Sequence, residues 1–159
     1  MNKTTTYIIK PEQLEKLRTQ LIGQQKSAGL VVCFSTPAVK VIEILKKNKI
    51  NSSKLVFINF GGQGTKQIVN VPDMGSLTEL SLAISNVLEA MADKKKFLMM
   101  SGISILTLHH EKMIVARFLQ FLMDKLRTWD VDGFLITDQS IGPESISILT
   151  QFADKVVKK

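Results

Sequence analysis

Lys96-Phe97-Leu98-Met99-Met100-Ser101-Gly102-Ile103-Ser104-Ile105-Leu106 constrains the fold of this chain more than any other stretch. Its apolar core is too short for a helix, it breaks off into small polar residues, and it hands over to an amphipathic run from His110 to Arg127. A continuous apolar segment of this kind is a strand buried on both faces, as the strands of parallel sheets are. In open α/β sheets ligands bind outside the carboxyl ends of such strands. Ser101, where the apolar run stops, is therefore the first residue to question for chemistry.

The same grammar repeats along the chain. Tyr7-Ile8-Ile9 is a short strand, followed by a helix that opens on Pro11, has Glu12 and Glu15 in its first turn, and buries Leu14, Leu17 and Leu21. Leu30 to Phe34 is a fully apolar strand, after which Thr36 is positioned to cap a helix beginning at Pro37, with Ala38, Val41, Ile42 and Leu45 inward. Lys54 to Phe60 is the next strand, Gly61-Gly62-Gln63-Gly64-Thr65-Lys66 a flexible loop, and Gln67 to Val71 a short extra strand. Ser76 and Glu79 form a capping box for a helix through Asp93, with Leu77, Leu80, Ile84, Val87, Leu88 and Met91 at helical spacing. Phe134 to Thr137 is a strand, Gly142-Pro143 starts a last helix, and Lys155-Val156-Val157 adds an edge strand. The alternation predicts an α/β fold of three layers, α/β/α, around a mostly parallel sheet with right-handed crossovers.

A chain of 159 residues fits one domain, taken as 1–159, and can bury a sizeable core. With 45% hydrophobic and 22% charged residues it lies outside the composition of disorder. No apolar run approaches the roughly 20 residues of a membrane span, and the start Met1 to Thr6 lacks a signal-peptide core. The expectation is a cytoplasmic protein without membrane insertion. The single Cys33 lies inside an apolar run and reads as a small buried hydrophobe. A net charge of +7 raises the question of an acidic partner. Lys46, Lys47, Lys94, Lys95 and Lys96 fall at helix ends or at the strands after them, where cations complement the helix dipole. In an alternating fold these ends share one rim of the sheet, opposite the ligand crevice.

Several of these segments together resemble the RecA/KaiC-like branch of the P-loop ATPases, most closely its small archaeal-type relatives of unknown function that lack the ATP machinery. The carriers are Gly29 to Pro37 with the following helix, Lys54 to Phe60, Ser76 to Ser81, Phe97 to Leu106 running into Arg117-Phe118-Leu119, and the tail Phe152 to Val157. The resemblance implies a RecA-like fold over almost the whole chain, and it also implies what the functional positions should hold. Active members cradle phosphate in a glycine-rich turn after the first strand; here that turn is Lys10-Pro11-Glu12-Gln13. They end the central strand in an acidic residue for magnesium, where this chain has Ser101. Clock-protein relatives place paired glutamates after the second strand, where this chain reads Ser35-Thr36-Pro37.

Other motifs are decoys. Gly61 to Lys66 follows a strand as a phosphate loop does, but Thr precedes Lys, the glycines are too close, and no helix follows; it reads as a mobile surface hairpin whose lone Lys66 makes it the best anion candidate at the crevice end. His109-His110-Glu111 cannot close a metal site, because helix neighbours point about 100° apart, and Ser101 lacks the Gly-x-Ser-x-Gly elbow of hydrolases. The expected function is a non-catalytic, pseudo-ATPase domain with no cofactor or metal, acting in regulation or signalling through protein association, with a dimer favoured. One alternative is nucleic-acid binding through the rim of Lys46, Lys47, Lys94, Lys95 and Lys96. Another is a small-molecule or nucleotide sensor using Ser35, Thr36, Gly61, Gly62, Gly64, Lys66, Ser101 and Thr137.

Overall fold

The computed structural model describes residues 2–93 and 95–159 and joins seven strands in one sheet. They are β1 (Thr4–Ile8), β2 (Ala28–Cys33), β3 (Leu55–Phe60), β4 (Ile68–Val71), β5 (Lys96–Ser101), β6 (Asp132–Thr137) and β7 (Lys155–Lys158). Their spatial order is β4-β3-β2-β5-β6-β1-β7, and every neighbouring pair is parallel. Helices α1 (Leu14–Gln24) and α2 (Ala38–Lys47) cover one face. Helices α3 (Leu77–Ala90), α4 (Lys112–Trp129) and α5 (Pro143–Gln151) cover the other. This is the three-layer arrangement expected from the apolar runs.

The period of two along β5 divides the core. Phe97 and Met99 point to the α1/α2 side and Leu98 and Met100 to the α3/α4/α5 side, all four shut off from water. Burying such a side chain contributes roughly 1.5–3 kcal/mol, so the central strands gain from both faces at once. β2 pairs with β5 from Ala28 opposite Lys96 to Cys33 opposite Ser101. Within that pair Gly29 makes room for its neighbour: a Cβ at Gly29 would lie 2.2 Å from the Phe97 ring, which in turn meets Phe134 edge-on at 5.9 Å.

Several boundaries differ from expectation for physical reasons. β1 begins at Thr4 rather than Tyr7, because Thr4 to Thr6 are buried between β6 and β7 and Thr6 Oγ1 donates to the Leu149 carbonyl at 2.8 Å. Pro11 opens a 3-10 turn, Pro11–Gln13, and the α-helix proper starts at Leu14. Thr36 does not cap α2; its first amide, Ala38 N, donates to Asn59 Oδ1 of β3 at 2.9 Å. Ser76 does cap α3, accepting from Glu79 N at 3.1 Å, but the helix stops at Ala90 rather than Asp93.

The glycine-rich loop is not a hairpin. β4 lies parallel to β3, with Phe57 opposite Ile68 and Phe60 opposite Val71, so the chain from Gly61 to Gln67 runs back along the sheet edge. Thr65 and Lys66 thereby reach the amino end of the sheet, where with Lys54 and Asp93 they border a hollow of about 720 Å³. That is the basic rim. Lys46 and Lys47 end α2, and Lys95 joins Lys26 and Lys54 around a second hollow of about 460 Å³. Lys96 is engaged there, since its Nζ donates to the Leu88 and Met91 carbonyls and closes the end of α3. Lys94 lies outside the described residues.

Gly29→Ala is expected to destabilise the protein by about 1–3 kcal/mol, the usual cost of overpacking, and Phe97→Leu in the same chain should recover part of that loss. Chemical denaturation of the two single variants and the double measures the coupling, and strictly additive effects would contradict the contact.

Candidate functional site

At the carboxyl ends of β1, β2, β5 and β6 the chain encloses a crevice of about 650 Å³. Its position follows from topology, since parallel strands release their following turns at one edge. From β1 come Ile9, Pro11, Glu12 and then Leu14 and Glu15 of α1; from β2, Ser35 and Thr36. β5 supplies Gly102 and Ser104, and β6 supplies Thr137 and Asp138. Gly102 has φ +74, which a glycine adopts without strain, and a Cβ there would lie 2.5 Å from Ser35 Oγ. The close approach of these two turns forms the floor.

Charge at the mouth is negative. Glu12, Glu15 and Asp138 all line the crevice, with no lysine or arginine among its lining residues. Asp138 is fixed by Ser104 Oγ at 2.9 Å, by Ser140 N at 2.8 Å and by Ser140 Oγ. The turn after β1 spends two of its own donors internally. Pro11 has no N–H, Lys10 N donates to Gln13 Oε1 at 3.1 Å, and Gln13 N donates to the Lys10 carbonyl at 2.9 Å.

Beneath the floor lies an unusual polar group. Ser101 is buried opposite Cys33, and its Oγ has no hydrogen-bond partner among the described residues. Arg18, one turn after Leu14 on α1, is only 1% exposed, and one terminal nitrogen is likewise unpartnered. Helical side chains lean toward the helix amino end, so the Arg18 stem leans in the direction of the crevice. Burial pushes its guanidinium below the ordinary value, opposed by Cys33 and Glu15. Burial likewise pushes the Cys33 thiol up to about 12, opposed by Arg18.

Of the residues singled out from sequence, Ser35, Thr36 and Thr137 meet in this crevice and Ser101 lies below it. Gly61, Gly62, Gly64 and Lys66 do not line it. They follow β3, one strand further from the centre than β2, and Lys66 lies at the opposite rim. Asp138 is not among the residues singled out from sequence; the signal available was a carboxylate directly after the apolar strand Phe134 to Thr137. His110 Nε2 lies 2.7 Å from the Met74 carbonyl and ties the start of α4 to the loop before α3. Among the described residues no three His, Cys, Asp or Glu side chains are grouped to hold a metal ion, and no helix is long and apolar enough to cross a membrane.

Sheet order, layering and the crevice at the strand ends define a RecA-like α/β domain. The fold is similar to that of a KaiC-like protein from the hyperthermophilic archaeon Pyrococcus horikoshii, with a TM-score of 0.69 at 16% identity, covering 98% of this chain and 70% of that one. At that identity the likeness establishes the RecA/KaiC-like fold. No family model matches the sequence, and no curated protein matches it.

The Cys33 thiol gives a pH test of this region. Between the ordinary value of 9.0 and about 12, the unfolded chain has lost the proton that the folded chain keeps. The folded state binds more protons there, so stability falls as pH rises through that window. Denaturation of the wild type against Cys33→Ala should show the wild type losing ground above about pH 9, with native Cys33 resisting thiol reagents at neutral pH. Rapid labelling of the folded protein would contradict the burial.

Proposed function

We propose that this chain is a non-catalytic RecA/KaiC-like domain that works through association with protein, in regulation or signalling. The observation that carries this reading is the inverted charge of the crevice, where Glu12, Glu15 and Asp138 stand at the strand ends. A helix amino terminus favours an anion by about 0.3–1 kcal/mol. Two like charges about 4 Å apart repel by about 4 kcal/mol at an effective dielectric near 20. For each carboxylate that a phosphate approached so closely, repulsion outweighs the helix dipole.

The chemistry of the remaining positions supports the same reading. Phosphoryl transfer relies on positioned positive charge, a metal and a cradle of amides. The turn Lys10 to Gln13 spends two of its amides internally and has a proline at a third position. Ser101 ends β5 without a carboxylate and out of solvent. Arg18 is a buried cation that lies below the floor rather than in the crevice lining.

A sensor of small molecules is the second reading, favoured by the crevice volume of about 650 Å³, which falls within the range of ligand pockets. The mouth then selects for neutral or cationic ligands over nucleotides. Nucleic-acid binding through the basic rim has less support, because Lys96 already closes α3.

Incubated with millimolar Mg-ATP, the purified chain is expected to release phosphate at the rate of buffer alone. A turnover that rises in proportion to protein concentration, and that Glu12→Lys alters, would overturn the proposal.

A further inference from the structure

The groove between α3 and α4 carries apolar side chains that the monomer leaves in water. Leu82, Ile114 and Phe121 are 58%, 40% and 49% exposed, and all three border one hollow of about 670 Å³. One exposed apolar residue needs no explanation, but several gathered in a single groove mark an interaction surface.

The two rims differ in character. Along α3 they present Ser81, Ser85 and Glu89, and along α4 Arg117 and Lys125. Both helices lead back to the start of a parallel strand, β5 or β6, so they run side by side in the same direction. Glu89 lies near the end of α3 and Lys125 in the last turns of α4, both bordering the same hollow, so the acid and the base stand on opposite rims toward one end of the groove.

From this we infer that the α3/α4 groove is the interface of a homodimer, each copy supplying the same face. An acidic rim and a basic rim on either side of an apolar centre complement themselves when a two-fold axis runs along the groove. α3 of one protomer then meets α4 of its partner, with Glu89 against the partner's Lys125 and Leu82 against the partner's Phe121. An axis across the helices is disfavoured, because Arg117 and Lys125 stand four residues either side of Phe121 and would face each other as like charges. A uniformly acidic partner would meet Glu89 on one rim. The net charge of +7 per chain opposes pairing at long range, but physiological salt screens that repulsion within about 8 Å, while the groove contacts are local.

This inference rests on the reading of the chain as a protein-association domain and names the partner as a second copy. Sedimentation equilibrium of the full chain tests it, with circular dichroism confirming that each surface variant remains folded. The wild type is expected to dimerise. Glu89→Lys and Lys125→Glu, each striking two symmetry-related pairs, should weaken the dimer by about tenfold or more, in line with charge pairs at interfaces. The double variant restores the pairs in reverse and should return the dissociation constant to within about threefold of the wild type. A wild type that stays monomeric at the highest attainable concentration overturns the dimer, leaving the crevice reading untouched. A dimer whose double variant is no stronger than the singles overturns this geometry.

Discussion

The pairing of β2 with β5 is the constraint on which the remaining layers depend. From Ala28 opposite Lys96 to Cys33 opposite Ser101 the two strands run in parallel register, and Leu30, Val31, Val32 and Leu98 to Met100 have no contact with water. A parallel pair cannot be joined by a tight turn and is stable only when helices cover both faces. That requirement places α1 and α2 on one side and α3, α4 and α5 on the other, and it sends every following turn to one edge. The crevice is a consequence of the same geometry that buries the core.

Chemistry at that edge is decided by which residues the turns deliver. Ser35, Gly102 and Asp138 arrive from three neighbouring strands, with Glu12 and Glu15 from the turn after β1. Backbone position favours an anion and side-chain charge opposes one. Arg18 and Ser101, both buried and each with an unpartnered atom, sit under this floor. Burying an unpaired polar group carries a real cost. The sheet centre bears that cost directly under the crevice, as expected when a scaffold and its site are governed by different constraints.

Most of the architecture was legible from sequence because strands buried on both faces read as uninterrupted apolar runs. β5 was placed from Lys96 to Ser101 by its composition alone, and the capping serine of α3 was visible in Ser76 and Glu79. What stayed hidden was long-range. Thr4 to Thr6 look polar, and only the flanking β6 and β7 make them a buried strand. Asn59 caps α2 across 21 residues, a contact that no local pattern announces. The direction of β4 was lost because a glycine-rich connection resembles a hairpin whichever way the next strand runs. At the crevice, Ser35, Thr36 and Thr137 were read from strand ends, and Asp138, directly after Thr137, was open to the same reading, while its tie to Ser104 across 34 residues was not.

On the function proposed above, Glu12, Glu15 and Asp138 at the crevice of this RecA-like sheet turn phosphate away. Isothermal titration calorimetry of the wild-type chain with Mg-ATP addresses it directly. No saturable heat is expected up to millimolar nucleotide, and a one-to-one isotherm with a micromolar dissociation constant would show that the crevice accepts the phosphates.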